Sequence, residues 1–167
     1  MKQIDFTIPR SAIFSDDRKY RYVLWRVWSP NKGLLLVIGL NPSTANEISD
    51  DPTIARLLTR ASLSGFGGLL MANLYAYVST DPKELLRDSD LSGAENDFYL
   101  KYLIGISDKT LCGWGSFSPV VKRAPAVLTM IPDPYCLGVN ADGQPKHPLY
   151  VSYDTPMVKY SSGKVGI

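Results

Sequence analysis

The sequence LLLVIGL at residues 34–40 decides the fold class, because it is apolar at nearly every position. An uninterrupted apolar run of this kind is typical of a strand in a parallel sheet that helices cover on both faces. The polar sequence NPSTA follows at residues 41–45. Since ligands bind beyond the carboxyl ends of the strands in open parallel sheets, we expect this loop to contribute to a binding site.

Strands and helices alternate on both sides of this run. Apolar and β-branched stretches predict further strands at 21–28, 69–77, 109–114 and 135–139. Helix signals predict helices over about 52–63, from Asp81, from Ser92 to about Ile106, and over 117–130 up to Pro125. This order predicts an α/β fold, namely a three-layer α/β/α sandwich with a mainly parallel sheet of four or five strands. We expect one domain over residues 1–167 with its core at about 20–155, and a hairpin-like connection after the first predicted strand.

The composition narrows the class of protein. Of 167 residues, 45% are hydrophobic, and 18 basic against 16 acidic residues give a net charge of +2, which fits neither a polybasic tail nor an acidic disordered chain. Cys112, Cys136 and a single histidine, His147, exclude the common zinc patterns and a disulfide framework. The N-terminal sequence lacks a signal-peptide pattern, and the longest apolar run is too short to span a bilayer. We therefore expect a cytoplasmic protein without a metal, a cofactor or a membrane partner.

The loops that follow the predicted strands hold the unusual residues. They contain the sequences GLNPSTA (39–45), NLYAY (73–77), GWGS (113–116) and KHPLY (146–150). None of them has the spacing of a Walker loop or of a dinucleotide-binding glycine fingerprint, so phosphate-loop nucleotide hydrolysis is disfavoured. The carboxyl ends of parallel strands share one edge of a sheet, which predicts that Asn41, Asn73 and His147 converge on one cleft.

Three of these segments resemble the motifs of the uracil-DNA glycosylase superfamily. LLLVIGLNPSTA resembles the first motif, in its mismatch-specific form; LLMANLYAYVSTDPKEL is similar to the segment in which a strand ends in Asn; and KHPL resembles the loop that closes over a flipped base. The combination GLNPSTA, DDPT, NLYAY and HPLY also resembles a bacterial and phage family known only as a domain of unknown function, over about residues 20 to 155. The superfamily resemblance implies a glycosylase-like fold and a monofunctional DNA glycosylase that acts on DNA as a monomer.

The resemblance also implies roles for individual residues. Asn41 would orient the attacking water, His147 would donate a hydrogen bond to a pyrimidine carbonyl, and Asn73 would pair with the edge of the base. Asp50 would supply the general base that an asparagine cannot be. The further substrate-binding residues would be Leu40, Pro42, Ser43, Thr44, Tyr75, Trp114 and Lys146.

Each of these residues also has a purely structural interpretation. Asn41 is equally suited to shaping a turn, Asn73 to bonding the backbone at a strand end, and His147 to a satisfied position in a loop. The candidate aromatic rings are common core residues. Asp51, next to Asp50, is first of all suited to cap the helix that begins at the following proline.

The expected substrate follows from a departure from the superfamily pattern. Ser43 and Thr44 stand where uracil-specific members carry a tyrosine that excludes a substituent at carbon 5 of the base. Small hydroxylic side chains leave space there, which favours a 5-substituted or mispaired pyrimidine, in DNA repair or phage defence. The first motif has no lysine that could form a Schiff base, so no lyase activity is expected. Two alternatives remain open, a non-catalytic reader of a flipped nucleotide and an α/β enzyme that acts on small nucleotides.

Overall fold

The computed structural model describes residues 1–87 and 90–161, which form seven strands and three α-helices. The strands are β1 (Arg10–Phe14), β2 (Arg21–Val27), β3 (Leu34–Gly39), β4 (Gly68–Asn73), β5 (Lys109–Cys112), β6 (Pro134–Cys136) and β7 (Val158–Lys159). The helices are α1 (Pro52–Leu63), α2 (Asn96–Ile106) and α3 (Val120–Leu128). None of the helices in the described ranges has the length and apolarity needed to cross a membrane.

The seven strands of the described residues form one mixed sheet in the order β1-β2-β4-β3-β5-β6-β7. The central strands β4, β3, β5 and β6 run parallel. The strands β2 and β7 pair antiparallel with β4 and β6, and β1 pairs antiparallel with β2. The α/β class is thus confirmed. The prediction of four or five mainly parallel strands was wrong at the edges of the sheet, because β1 is only partly buried and β7 is two exposed residues long.

The predicted hairpin-like connection after β2 is also wrong. β2 pairs with β1 and β4, and the chain crosses the end of β4 through a turn of 3-10 helix at Pro30–Lys32 to reach β3 beyond it. The crossing requires Gly67, because a Cβ at this position would lie 1.5 Å from the carbonyl oxygen of Ser29. The amide groups of Trp28 and Ser29 both donate to the Gly67 carbonyl oxygen and fix the connection there.

The central strand β3 is buried on both faces, as its sequence predicts. Leu35 and Val37 belong to an apolar cluster with side chains of α1, whereas Leu36 and Ile38 belong to a second cluster with side chains of α2 and α3. Because successive side chains of a strand point to opposite faces, the two clusters lie on opposite sides of the sheet. We call these the α1 face and the α2/α3 face.

The strand β4 leaves the sheet earlier than predicted, at Asn73 rather than residue 77. Beyond Asn73, the amide groups of Leu74 and Tyr75 donate to the carbonyl oxygens of Gly39 and Leu40, and an isolated bridge joins Tyr20 and Tyr77. Asn73 is paired in register with Gly39, the last residue of β3. The polar side chain therefore lies at the shared carboxyl edge of the two central strands.

Two predicted helices differ from the structure at their starts. The helix predicted from Asp81 is only a turn of 3-10 helix at Pro82–Leu86, capped by the Asp81 side chain. The α2 helix begins at Asn96 rather than near Ser92, because the Ser92 hydroxyl bonds to Asp90 instead of capping a helix.

The remaining predicted elements lie at their predicted places, but some of their ends differ. The α1 helix matches its predicted range, and β5 and β6 are shorter than predicted. The α3 helix continues through Pro125, where the sequence predicted its end. Proline lacks the amide group that would bond the carbonyl oxygen of Val121, but Val121 is exposed, so water can satisfy that oxygen.

Candidate functional site

A cavity of about 360 Å³ opens at the carboxyl ends of the central strands, on the α1 face. Val37, Ile54 and Leu57 form its apolar wall. Six of the residues singled out in the sequence line it, namely Leu40, Asn41, Ser43, Asn73, Trp114 and His147. The predicted convergence of Asn41, Asn73 and His147 on one cleft is thus confirmed.

The other five predicted site residues do not line this cavity. Asp50 accepts a hydrogen bond from Arg26 Nε (2.9 Å) and lies 3.5 Å from Arg10 Nη2. Tyr75 donates its hydroxyl group to the carbonyl oxygen of Pro119 (2.7 Å), beside a different surface pocket. The last three are Pro42, which is buried, and Thr44 and Lys146, which are exposed.

Asn73 is the most unusual polar group of the cavity. Its side chain is 1% exposed, and neither Oδ1 nor Nδ2 has a hydrogen-bond partner among the described residues. The interpretation of Asn73 as a residue bonded to the backbone is therefore wrong. Gly39 makes room for the amide, because a Cβ there would lie 2.9 Å from Asn73 Oδ1. A buried amide without partners costs about 1–3 kcal/mol per group, which a ligand with a matching donor and acceptor would recover.

The backbone around Asn73 is fixed by a second buried asparagine. Asn96, the first residue of α2, donates from Nδ2 to the carbonyl oxygens of Asn73 (3.0 Å) and Leu74 (3.2 Å). These bonds satisfy the carbonyl groups at the point where the chain leaves the sheet. Asn73 is therefore held by its backbone while its side chain remains unbonded.

His147 presents a hydrogen-bond donor to the cavity. Its Nδ1 accepts the amide proton of Leu149 (3.1 Å) at the start of a turn of 3-10 helix, Pro148–Tyr150. Burial lowers the pKa of His147 below its ordinary value of 6.5, and the negative charge of Asp51 opposes this only in part. The ring is therefore neutral at pH 7, and because Nδ1 is an acceptor, the proton lies on Nε2.

Asn41 makes two structural hydrogen bonds through its amide nitrogen and keeps its amide oxygen as an acceptor. Its Nδ2 donates to the carbonyl oxygens of Pro42 and Ser79, each at 3.0 Å. These two bonds brace the loop after β3 against the segment that follows β4, as the turn interpretation predicts. They also fix the orientation of the amide, so its carbonyl oxygen is the group left to accept a hydrogen bond from water or a ligand.

Asp51, not Asp50, is the carboxylate of the cavity. It caps α1 as predicted, since its Oδ1 accepts the amide proton of Ile54 (2.9 Å), and it is 8% exposed among the lining residues. The adjacent carboxylates point to different places because Arg26 holds Asp50 at the sheet while the helix start turns Asp51 inward. The sequence alone could not separate these two orientations.

Arg21 is a buried cation that the sequence analysis missed. It is 2% exposed, lines the cavity, and donates from Nη1 to the carbonyl oxygen of Ala45 (3.0 Å). A β-bulge turns it to this side: Val23 pairs with Ile13 and Arg21 pairs with Phe14, which leaves Tyr22 unpaired. The signal in the sequence was the pair Arg21 and Arg26 in a strand whose other residues are apolar or aromatic.

Two arginines of α1 hold the segment that carries His147 over the cavity. Arg56 donates to the carbonyl oxygens of Pro148 (3.2 Å) and Val151 (2.6 Å), and Arg60 donates to those of residues 151, 152 and 155. The ring of Tyr150, also missed, is 84% exposed at the mouth of the cavity, 5.7 Å from the His147 ring. The fixed segment thus presents a half-buried donor and an exposed aromatic ring side by side.

Trp114 is a wall of the cavity rather than a free stacking surface. It is 1% exposed, and its Nε1 donates to Gln144 Oε1 (2.9 Å).

In the described ranges, no group of three or more His, Cys, Asp or Glu side chains could hold a metal ion. The polar groups that line the cavity include donors, on Asn73 Nδ2 and Arg21, and acceptors, on Asn73 Oδ1 and Asp51.

The comparisons with known proteins give a family match that covers this site except Tyr150. Searches of curated proteins and of solved structures found no significant match. A protein-family model matches residues 21–149, which run from Arg21 in β2 to the turn that follows His147. The chain therefore belongs to the family described as "Protein of unknown function (DUF1643)".

Proposed function

We propose that the protein is a monofunctional DNA glycosylase that flips a 5-substituted or mispaired pyrimidine into this cavity and hydrolyses its N-glycosidic bond. The observation that carries the proposal is the Asn73 amide, buried and unbonded at the floor of the cavity. The helices on both faces of the sheet support the further proposal that the fold is a three-layer, glycosylase-like α/β/α sandwich.

The polar groups of the cavity fit the edge of a pyrimidine. Asn73 offers one donor and one acceptor, which matches the adjacent ring nitrogen and exocyclic group of the base. The Nε2 proton of His147 is available for a ring carbonyl oxygen. Binding of a base would satisfy groups that are otherwise buried without partners, at a gain of about 1–3 kcal/mol for each.

The size of the cavity supports a substituted base. A volume of about 360 Å³ corresponds to about twelve water molecules at about 30 Å³ each, which is more than an unsubstituted pyrimidine fills. Ser43 lies in the lining and adds only a small hydroxylic side chain. The space beside it is where a substituent at carbon 5 would lie.

The chemistry needs a positioned water and a proton acceptor. Asn41 Oδ1 would orient a water toward carbon 1′ of the sugar, and the Asp51 carboxylate would take the water proton. The bond between carbon 1′ and the base nitrogen breaks with its electron pair going to the base, whose carbonyl oxygen accepts the His147 Nε2 proton in a hydrogen bond. The water oxygen bonds to carbon 1′, and transfer of the proton from Asp51 to the departed base completes the hydrolysis. No lysine occurs among the described lining residues, in keeping with a mechanism without a Schiff base.

The surface around the mouth supports DNA as the partner. The exposed ring of Tyr150 would stack against a neighbouring base, and Lys146, also exposed, would contact a phosphate. We include in the proposal that the protein acts as a monomer in the cytoplasm.

The proposal is tested by incubating the protein with single- and double-stranded oligonucleotides that carry different pyrimidines, followed by alkaline cleavage of abasic sites. We expect abasic sites from at least one 5-substituted or mispaired pyrimidine. Asp51→Asn should lower the rate by about a hundredfold or more, although asparagine caps a helix as well as aspartate does. Asp50→Asn is the matched control and should keep the rate. Equal rates for wild type and Asp51→Asn would contradict the assigned role.

One observation favours a second candidate, the non-catalytic reader of a flipped nucleotide. Asn41 and Asp51, the groups proposed to act on water, both bond to the backbone as structural residues. A reader needs only Asn73 and His147. Oligonucleotide binding that depends on Asn73, with no abasic sites from any pyrimidine, would establish this function in place of catalysis.

A further inference from the structure

The side chains of Arg21 and Arg26 extend from β2 toward the same face of the sheet but have different hydrogen-bond partners. Arg26 donates to the Asp50 carboxylate and to four backbone carbonyl oxygens, so its guanidinium is almost fully bonded. Arg21 donates from Nη1 to Ala45, and its buried Nε has no partner in the described part of the chain. Since the guanidinium group always carries a positive charge and five N–H donors, Arg21 is an incompletely bonded cation at the cavity.

The charges that face Arg21 leave it available to an anion. Asp51 lines the same cavity and attracts Arg21, but its Oδ1 is bonded to the start of α1. Arg26 repels Arg21, and its own charge is offset by Asp50. His147 is neutral at pH 7 because burial lowers its pKa. Burial likewise lowers the pKa of Arg21, to about 10, so the guanidinium remains charged at neutral pH.

We propose that Arg21 makes the cavity a receptor for a pyrimidine base in its anionic form. This inference rests on the proposed function and specifies the charge of the bound base. Heterolysis of the N-glycosidic bond leaves the electron pair on the base, which becomes an anion delocalised over the ring nitrogens and carbonyl oxygens. Arg21 is the one lysine or arginine among the described lining residues, and therefore the cation placed to stabilise that charge.

The expected preference is large enough to measure. An opposite charge at about 4–6 Å in a partly desolvated site favours the charged form of a titrating group by about tenfold to a thousandfold. The same factor appears as tighter binding of the base anion than of the neutral base. A free base should therefore lose its ring proton on binding at a pH where the base in solution still keeps it.

The inference is tested with free bases, so that it does not depend on excision. Uracil, thymine and the more acidic 5-fluorouracil and 5-nitrouracil would be titrated with the protein, and ultraviolet difference spectra would distinguish bound anion from bound neutral base. We expect affinity to rise with the acidity of the base, by about tenfold or more between thymine and 5-nitrouracil. Arg21→Gln should abolish this trend. Arg21→Lys should keep part of it, because lysine keeps the charge. Arg26→Gln, which removes the other buried arginine of β2, is the control and should keep the whole trend.

The outcomes separate this inference from the function on which it rests. Bases that bind the wild type only in their neutral form would overturn the role of Arg21 and leave the base-binding cavity intact. An equal anion preference in wild type and in a folded Arg21→Gln variant would also overturn it. Absence of binding of every base to the wild type, confirmed as folded by circular dichroism, would overturn the cavity as a base site and this inference with it.

Discussion

Replacement of Asn73 by leucine should make the protein more stable while removing its proposed base recognition. The amide of Asn73 is 1% exposed and unbonded within the described residues, so folding removes it from water without giving it a partner. Leucine has a similar shape and no polar atoms. We therefore expect Asn73→Leu to raise the free energy of unfolding by about 1–3 kcal/mol, the typical cost of a buried group without a hydrogen bond.

The same substitution at Asn96 is the matched control and should have the opposite sign. Asn96 is also buried, but its Nδ2 donates to the carbonyl oxygens of Asn73 and Leu74. Asn96→Leu would remove both bonds. The Leu74 oxygen keeps a hydrogen bond from Arg123 Nε (2.9 Å), whereas the Asn73 oxygen loses its Asn96 donor, and we expect the free energy of unfolding to fall by about 1–3 kcal/mol. Urea denaturation followed by circular dichroism measures both changes, because the midpoint shifts while the slope stays the same.

One result for Asn73→Leu would refute the reasoning that its amide is unbonded. A loss of more than about 1 kcal/mol of stability would mean that the amide makes hydrogen bonds in the native protein, for instance to a buried water. Asn73 would then be a structural residue, and the observation on which the proposed function rests would be lost. Unchanged oligonucleotide binding by a stabilised Asn73→Leu variant would also contradict the role of the side chain in reading a base.

Three further predictions concern the same cavity. The pKa of His147 is lowered in the folded state, so the neutral form of this residue adds stability above pH 6.5 that is lost as the pH falls from 6.5 through the folded pKa. Thermal denaturation should therefore show a smaller loss of stability over this range for His147→Asn than for the wild type. Ser43→Tyr should fill the space beside carbon 5, so excision assays should show a larger loss for 5-substituted pyrimidines than for uracil, and equal losses would contradict the assigned position of Ser43. Gly39→Ala would place a Cβ 2.7 Å from Met71 Cε and 2.9 Å from Asn73 Oδ1; we expect a loss of about 1–3 kcal/mol in denaturation and weaker base binding, and unchanged binding would separate Gly39 from the site.

The part of the fold that the sequence could predict is the part that apolar patterning controls. An uninterrupted apolar run is typical of a strand covered on both faces, so β3 was identifiable. The convergence of Asn41, Asn73 and His147 followed from the direction of the parallel strands. Hydrophobic patterning predicts little about the strands at the edges of the sheet. The exposed residues of β7 carry no such pattern, so the antiparallel edge was missed.

The orientation of the charged groups could not be predicted for a different reason. Whether Arg21 faces the cavity depends on a bulge in the pairing of β2 with β1, and β1 itself was not predicted. The choice between Asp50 and Asp51 depends on which of them Arg26 reaches across the loop. Both are properties of contacts between distant segments, whereas propensity and spacing describe neighbours along the chain.

The way in which Arg56 and Arg60 hold the segment over the cavity has a consequence for how this family can diversify. Both arginines donate hydrogen bonds to backbone carbonyl oxygens of residues 148–155, and every amino acid provides such an oxygen. The one side chain of the segment that both guanidinium groups also contact, among the described residues, is the Tyr153 ring. The position of the segment is therefore independent of most of its side chains. Relatives that keep the two arginines can exchange the exposed residue at Tyr150, and with it the chemistry presented at the mouth, without having to evolve a new anchor for the loop.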